Sequence, residues 1–128
     1  VLRDELRVVA DQFGCPTYSD LVADATGEIL ARMYAHGAPR AELFGTYHIA
    51  CGGITSWHGF AAKIMELAGK SQVRVTPITT ADYPTPARRP MYSVLDCGKL
   101  ARAFGIRLPA WEDALHACLD DRGRIDQR

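Results

Sequence analysis

Hydrophobic residues fall into short blocks separated by glycine and proline, and their period changes from block to block. Glu5–Ala10 is short, apolar and β-branched at Val8 and Val9, which predicts a buried strand. Gly14 and Pro16 punctuate the turn that follows. Leu21, Val22, Ala25, Ile29, Leu30 and Met33 then recur at helical spacing, predicting a helix capped by Thr17 or Ser19, running to about His36 and stopped by Gly37. Gly45–Ala50 reads as a second strand and Gln72–Ile78 as a third, with Pro77 placing the end of the third near a sheet edge. Between them Ser56 is a natural N-cap for a helix carrying Trp57, Phe60, Ala61, Ile64 and Leu67 on one face, ended by Gly69. Asp96 is expected to cap a short helix through Phe104 closed by Gly105. After Pro109 a last helix turns Trp111, Ala114, Leu115, Cys118 and Leu119 inward, before a polar, fraying tail from Asp120.

Strands alternating with helices predict an α/β fold, about three strands with four helices, the strands paired in parallel through helical crossovers. The stretch from Thr79 to Leu95 has no period. Within it, Tyr83–Ser93 (YPTPARRPMYS) holds Pro84, Pro86 and Pro90 beside Arg88 and Arg89, so it is stiff and locally cationic.

Composition narrows the class of partner. With 128 residues the chain can bury a core, and 15 Lys+Arg against 15 Asp+Glu leave no net charge. That argues against a surface built to coat nucleic acid or an anionic membrane, though not against a local anion site. No apolar run is long enough to span a bilayer and no leader-like segment opens the chain, so a soluble, cytoplasmic protein is the expectation. Cys15, Cys51, Cys97 and Cys118 form no CxxC pair and read as reduced thiols. His36, His48, His58 and His116 lack metal-ligand spacing.

Several groups could carry chemistry. The arginine loop is a polyproline ligand, a solvated turn with paired arginines, or an anion clamp in which proline-stiffened backbone presents a guanidinium fork to phosphate oxygens. The PxxP spacing of the first reading is not met. Cys51–Gly53 (CGG) sits where α/β proteins bind phosphate, but without GxGxxG or GxxxxGK[ST] it reads more simply as a tight turn. Ser56, His58 and Asp82 could be assembled into a triad only without a GxSxG elbow to support it. Asp120 and Asp121 are a solvated helix end or a weak divalent-cation contact, and Trp57, at a first helical turn, could border a site. No self-contained catalytic set emerges.

Four segments taken in order, VVADQFGCPT (8–17), GTYHIACGGITSWHGFA (45–61), YPTPARRPMYSVLD (83–96) and GIRLPAWEDAL (105–115), resemble the C-terminal part of the dTDP-4-dehydrorhamnose reductase (RmlD-like) family of the extended short-chain dehydrogenase/reductase superfamily. The resemblance covers essentially the whole chain and implies a Rossmann-type parent. Residues 1–128 would be its sugar-nucleotide-binding portion, with the cofactor-binding and catalytic half outside them. Consistent with this, no tyrosine here has lysine four residues on, and GxGxxG is missing. Carried over position by position, the resemblance implies substrate contacts from Gln12, Gly14, Pro16, Thr17, Trp57, Arg89 and Ser93. Arg89, before Pro90, would hold the diphosphate, whereas Arg88 falls on a variable position. Tyr92 stands where the family usually has asparagine. Asp121 falls near an acidic position that some members use for magnesium at a dimer contact, which brings Mg and a homodimer into the expectation.

The implied activity of the parent is hydride transfer from NADPH to the 4-keto group of dTDP-4-dehydro-rhamnose, giving dTDP-rhamnose for polysaccharide, with this chain inactive in isolation. NADPH against NADH is left open by the residues. The alternatives are a non-catalytic RmlD-like nucleotide-sugar-binding or regulatory module, and a fragment without function of its own.

Overall fold

The structure, a computed structural model, describes residues 4–35, 37, 38 and 40–125, with side chains through Asp121. In chain order it contains β1 (Glu5–Val9), β2 (Phe13–Gly14), α1 (Ser19–Met33), β3 (Thr55–Ser56), α2 (Trp57–Leu67), β4 (Arg74–Ile78), α3 (Gly98–Phe104) and α4 (Trp111–Ile125). Turns of 3-10 helix lie at Ala41–Leu43 and Thr80–Asp82. The α/β class and the helices read from the periodicity are all present. No described helix is long and apolar enough to cross a membrane.

β1 and β4 pair in parallel, Glu5 opposite Arg74 and Val9 opposite Ile78, with α1 and α2 between them in sequence. Among the described residues each of these strands has only the other as neighbour. Pro77, which lacks an N–H, is tolerated in β4 at such an edge.

Gly45–Ala50 is not a strand but irregular chain. Its alternation is real: Tyr47 and Ile49 turn inward while Thr46 and His48 face out. They pack on helices, however, not beside a strand. Tyr47 meets Phe104 edge-on at 5.2 Å and donates its hydroxyl to Leu43 O at 2.8 Å. Lys99 covers the Tyr47 ring and donates to Thr46 O at 2.9 Å. The strand pattern here reports burial without a ladder.

Helix ends differ in detail from expectation. Tyr18, with no side-chain cap bond, is the N-cap of α1. Thr17 cannot serve because its hydroxyl donates to Cys15 O and accepts from Cys51 N–H, both at 3.1 Å, and the Ser19 hydroxyl goes to Asp20. His36 lies outside the described residues. Ser56 does cap α2, its Oγ accepting from Gly59 N–H at 3.1 Å. Asp96 stands one residue before the Cys97 N-cap of α3 and accepts from Gly98 N–H at 2.7 Å. α4 continues to Ile125 through the segment expected to fray.

Two apolar clusters hold the elements together. One joins Ala25, Leu43, Leu100, Phe104 and Ile106; the other joins Cys51, Trp111, Ala114 and Leu115, with Phe60 edge-on to Trp111 at 5.9 Å. Leu108 packs against both. The second cluster anchors α2 against α4, which fixes the first turn of α2 beneath the site.

Candidate functional site

Three segments distant in sequence meet along β2. On one side β3 pairs with it, Phe13 opposite Ser56 and Gly14 opposite Thr55. On the other side the proline-rich loop is tied down as a strand-like bridge: Phe13 N–H donates to Met91 O at 2.8 Å and Ser93 N–H to Phe13 O at 2.9 Å. Ser93 Oγ adds a bond to Phe13 O at 3.2 Å. The approach is close at position 14, where a Cβ would lie 3.0 Å from Ser93 Oγ and the serine hydroxyl would have to give way.

The seam opens into two cavities. The first, about 340 Å³, has walls that include Gln12, Gly14, Pro16, Trp57, Arg89 and Ser93. The second, about 370 Å³, adds Arg7, Tyr83 and Thr85. Gln12, Trp57 and Arg89 line both. Every residue expected at a substrate site is therefore on the first wall except Thr17, which pins the Cys15–Cys51 backbone instead.

Trp57 is 52% exposed although it opens an amphipathic helix, and Tyr83 is 60% exposed. Arg89 is exposed, and Arg88 lines neither cavity. Ion pairs among the described residues join Arg32 to Glu28, Arg40 to Glu42 and Lys63 to Glu66, so no acid there neutralises the loop arginines.

The nearby carboxylates are instead saturated by the backbone that starts the loop. Asp11 accepts the Thr80 N–H, at 3.0 Å to each oxygen, and the Thr80 hydroxyl at 2.7 Å. These bonds, the backbone one foremost, hold its carboxyl below the usual carboxylate range. Asp82 closes a capping box with Thr79, accepting its N–H at 2.9 Å and its hydroxyl at 2.7 Å, and is lowered for the same reason. Gln12, buried at 7% exposure, reaches the same hub by donating Nε2–H to Thr80 Oγ1 at 3.1 Å. Sequence reasoning passed over Asp11 and Thr80. The signal available was the T-x-x-D spacing of Thr79 and Asp82, which marks an ordered turn inside the aperiodic stretch.

Other candidate groups are occupied by structure. In the CGG turn, Cys51 N–H bonds Thr17 and Gly52 N–H bonds Pro109 O at 2.8 Å, so those amides are not available to a phosphate. Gly53 has φ +86°, and a Cβ there would lie 2.9 Å from Trp111 Cδ1. Ser56 caps α2, His58 Nε2 lies 3.1 Å from Val75 O, and Asp82 holds Thr79, so the possible triad is dissolved into separate structural bonds. Cys15 lies on the first wall, but its thiol bonds Cys51 O and burial pushes its pKa up, away from a reactive thiolate. Asp121 accepts from the Tyr18 hydroxyl at 3.0 Å. Among the described residues no three His, Cys, Asp or Glu side chains are grouped to hold a metal ion, so the magnesium expectation at Asp121 finds no fitting donor set.

Comparison with known proteins gives a consistent result. A family model described as the RmlD substrate binding domain matches residues 2–123. A dTDP-4-dehydrorhamnose reductase of Burkholderia thailandensis is 43% identical over 126 residues, covering 93% of this chain and 42% of its own length. One from Sinorhizobium fredii is 47% identical over 115 residues, covering 87% of this chain and 38% of its own length. The dTDP-4-dehydrorhamnose reductase of Clostridium acetobutylicum superposes with a TM-score of 0.81 at 37% identity, over 92% of this chain and 39% of that one. The Bacillus anthracis reductase, solved in complex with NADP, superposes at 0.80 with 32% identity, over 93% of this chain and 39% of that one. The chain thus spans about two fifths of the length of these relatives.

Proposed function

This chain belongs to the RmlD substrate binding domain family, and we propose that it forms the sugar-nucleotide-binding part of an NADPH-dependent dTDP-4-dehydrorhamnose reductase. The observation that carries the reading is the convergence of Gln12, Trp57 and Arg89 on the seam between two cavities. An elongated ligand with a charged middle suits such a seam. Arg89, unpaired among the described residues, binds the diphosphate through its planar fork. Nucleoside and hexose occupy the two lobes, and the half-exposed Trp57 indole offers an apolar face to one of them. Ser93 and Gly14 hold the loop close over β2. Pre-forming the loop lowers the entropy cost of closing over the ligand.

NADPH, when bound by the parent, supplies hydride to the 4-keto carbon. The residues of this chain bind and orient the sugar-nucleotide; the tyrosine–lysine pair that the family uses has no counterpart among them. The isolated 128 residues therefore turn over no substrate. Assembly as a homodimer and a cytoplasmic setting belong to the same proposal. Titration of the full polypeptide with dTDP-rhamnose and with dTMP tests it by calorimetry. The dTDP-sugar binds at least about tenfold tighter, since dTMP lacks the second phosphate and the hexose; equal affinities would remove the seam from ligand recognition.

A further inference from the structure

The direction of the hydrogen bonds around Thr80 fixes which end of Gln12 faces the ligand. Asp11 Oδ1 lies 2.7 Å from Thr80 Oγ1, and Thr80 Oγ1 lies 3.1 Å from Gln12 Nε2. An ionised carboxylate can only accept, so the single hydroxyl proton of Thr80 points to Asp11. Met91 Sδ, 3.8 Å from the same oxygen, is a far weaker competitor for that proton. Thr80 Oγ1 must then accept at its other contact. The Gln12 atom facing it must be the nitrogen, and the carbonyl oxygen Oε1 is turned the other way.

Gln12 is buried, yet among the described residues nothing donates to Oε1. No side-chain nitrogen or oxygen there is both fully buried and unpartnered, so Oε1 is reached from open space, and Gln12 lines both cavities. We propose that Asp11 and Thr80 are positioning residues that lock the Gln12 amide with its carbonyl oxygen toward the seam, where it accepts a hydrogen bond from a hydroxyl of the hexose. The inference rests on the reading of the seam as a sugar-nucleotide site. A carbonyl oxygen on the same cavity walls as Arg89 repels phosphate oxygens and attracts a neutral donor adjacent to them. On a sugar nucleotide that donor is the hydroxyl next to the anomeric carbon that carries the diphosphate. Asp11 and Thr80 touch no ligand themselves; they set the polarity of the group that does.

The test uses the full polypeptide, with dTDP-rhamnose and dTDP as paired calorimetric probes. In Asp11→Asn the amide oxygen still accepts the Thr80 N–H while its NH2 donates to Thr80 Oγ1. The Thr80 proton then turns to Gln12, whose amide must rotate and present N–H where the acceptor was. Affinity for dTDP-rhamnose is expected to fall about tenfold while dTDP changes less than about twofold. Thr80→Val reproduces the loss and Thr80→Ser restores binding to within about twofold of the wild type. Placed on Gln12→Ala, Asp11→Asn costs nothing further, because the group it positions is gone. The Thr80 pair decides the matter if Asp11→Asn does not fold. Unchanged dTDP-rhamnose affinity, an equal loss for dTDP, failure of Thr80→Ser to rescue, or additive losses with Gln12→Ala would each overturn the assignment. A wild type that binds neither probe would instead overturn the site reading beneath it, and the assignment with it.

Discussion

Replacing Arg89 with alanine isolates the interaction on which the proposed function rests. Arg89 lines both cavities, is exposed, and has no ion-pair partner among the described residues. Truncating it therefore leaves no carboxylate uncompensated and should not move the unfolding midpoint. What is lost is a charge-assisted hydrogen bond to the diphosphate. Such bonds contribute roughly 1.5–3 kcal/mol, and solvent screening at an exposed loop puts this one toward the lower half, about 2 kcal/mol. That corresponds to about a 30-fold rise in Kd. Arg89→Lys keeps the charge but not the fork, and falls between the two. Arg88→Ala, one residue away but on neither wall, changes Kd less than about twofold and controls for bulk charge. Calorimetric titration with dTDP at two salt concentrations reads all four proteins, and the Arg89 contribution should shrink as salt rises. A loss under about twofold for Arg89→Ala, or the same loss for Arg88→Ala, would refute the diphosphate clamp and leave only a diffuse cationic patch.

Acidification should loosen the loop. Asp11 and Asp82 both have carboxyl pKa values lowered in the folded chain by bonds to Thr80 and Thr79. Their contribution is present above the ordinary carboxylate pKa and is lost as pH falls through the lowered folded values. Protection factors of the amides at 79–82, taken relative to intrinsic exchange at each pH, should thus be flat near neutrality and fall only in acid below the usual carboxylate range, with Asp82→Asn flattening part of that response; a fall that begins near neutrality would contradict it. In the core, Leu100 is 1% exposed and sits between Ala25, Leu43 and Phe104. Leu100→Ala should cost about 3 kcal/mol in urea unfolding, and a cost under about 1 kcal/mol would mean that cluster is not close-packed.

The helices were legible because each carries its own stripe of apolar residues: α2, from its Ser56 cap to Leu67, and α3, closing on Gly105 at φ +64°, follow the sequence closely. Strands were less so. β1 is marked by its β-branched Val8 and Val9 and β4 by alternation, but Gly45–Ala50 alternates too while packing on helices, since alternation records which side chains are buried and not what backbone lies alongside. β2 and β3, two residues each, are too short to have a period at all and exist through their pairing with each other and with Tyr92. The convergence of residues 12–16, 55–60 and 89–93 on one cavity is a product of that pairing. The residues could be nominated one by one from motif resemblance, but nothing local in the chain brings them together. Thr17 shows the converse. A motif position can be structural: its hydroxyl bridges Cys15 O and Cys51 N–H, and it stays off the cavity wall.

A crystal structure of the full polypeptide with dTDP-rhamnose bound would show whether Arg89 clamps the diphosphate. The expected complex has diphosphate oxygens within hydrogen-bond distance of the Arg89 guanidinium, nucleoside and hexose divided between the two lobes that meet at Trp57, and Gln12 Oε1 facing a hexose hydroxyl. A ligand whose diphosphate lies away from Arg89, with the seam between β2 and the 89–93 loop filled only by solvent, would contradict it.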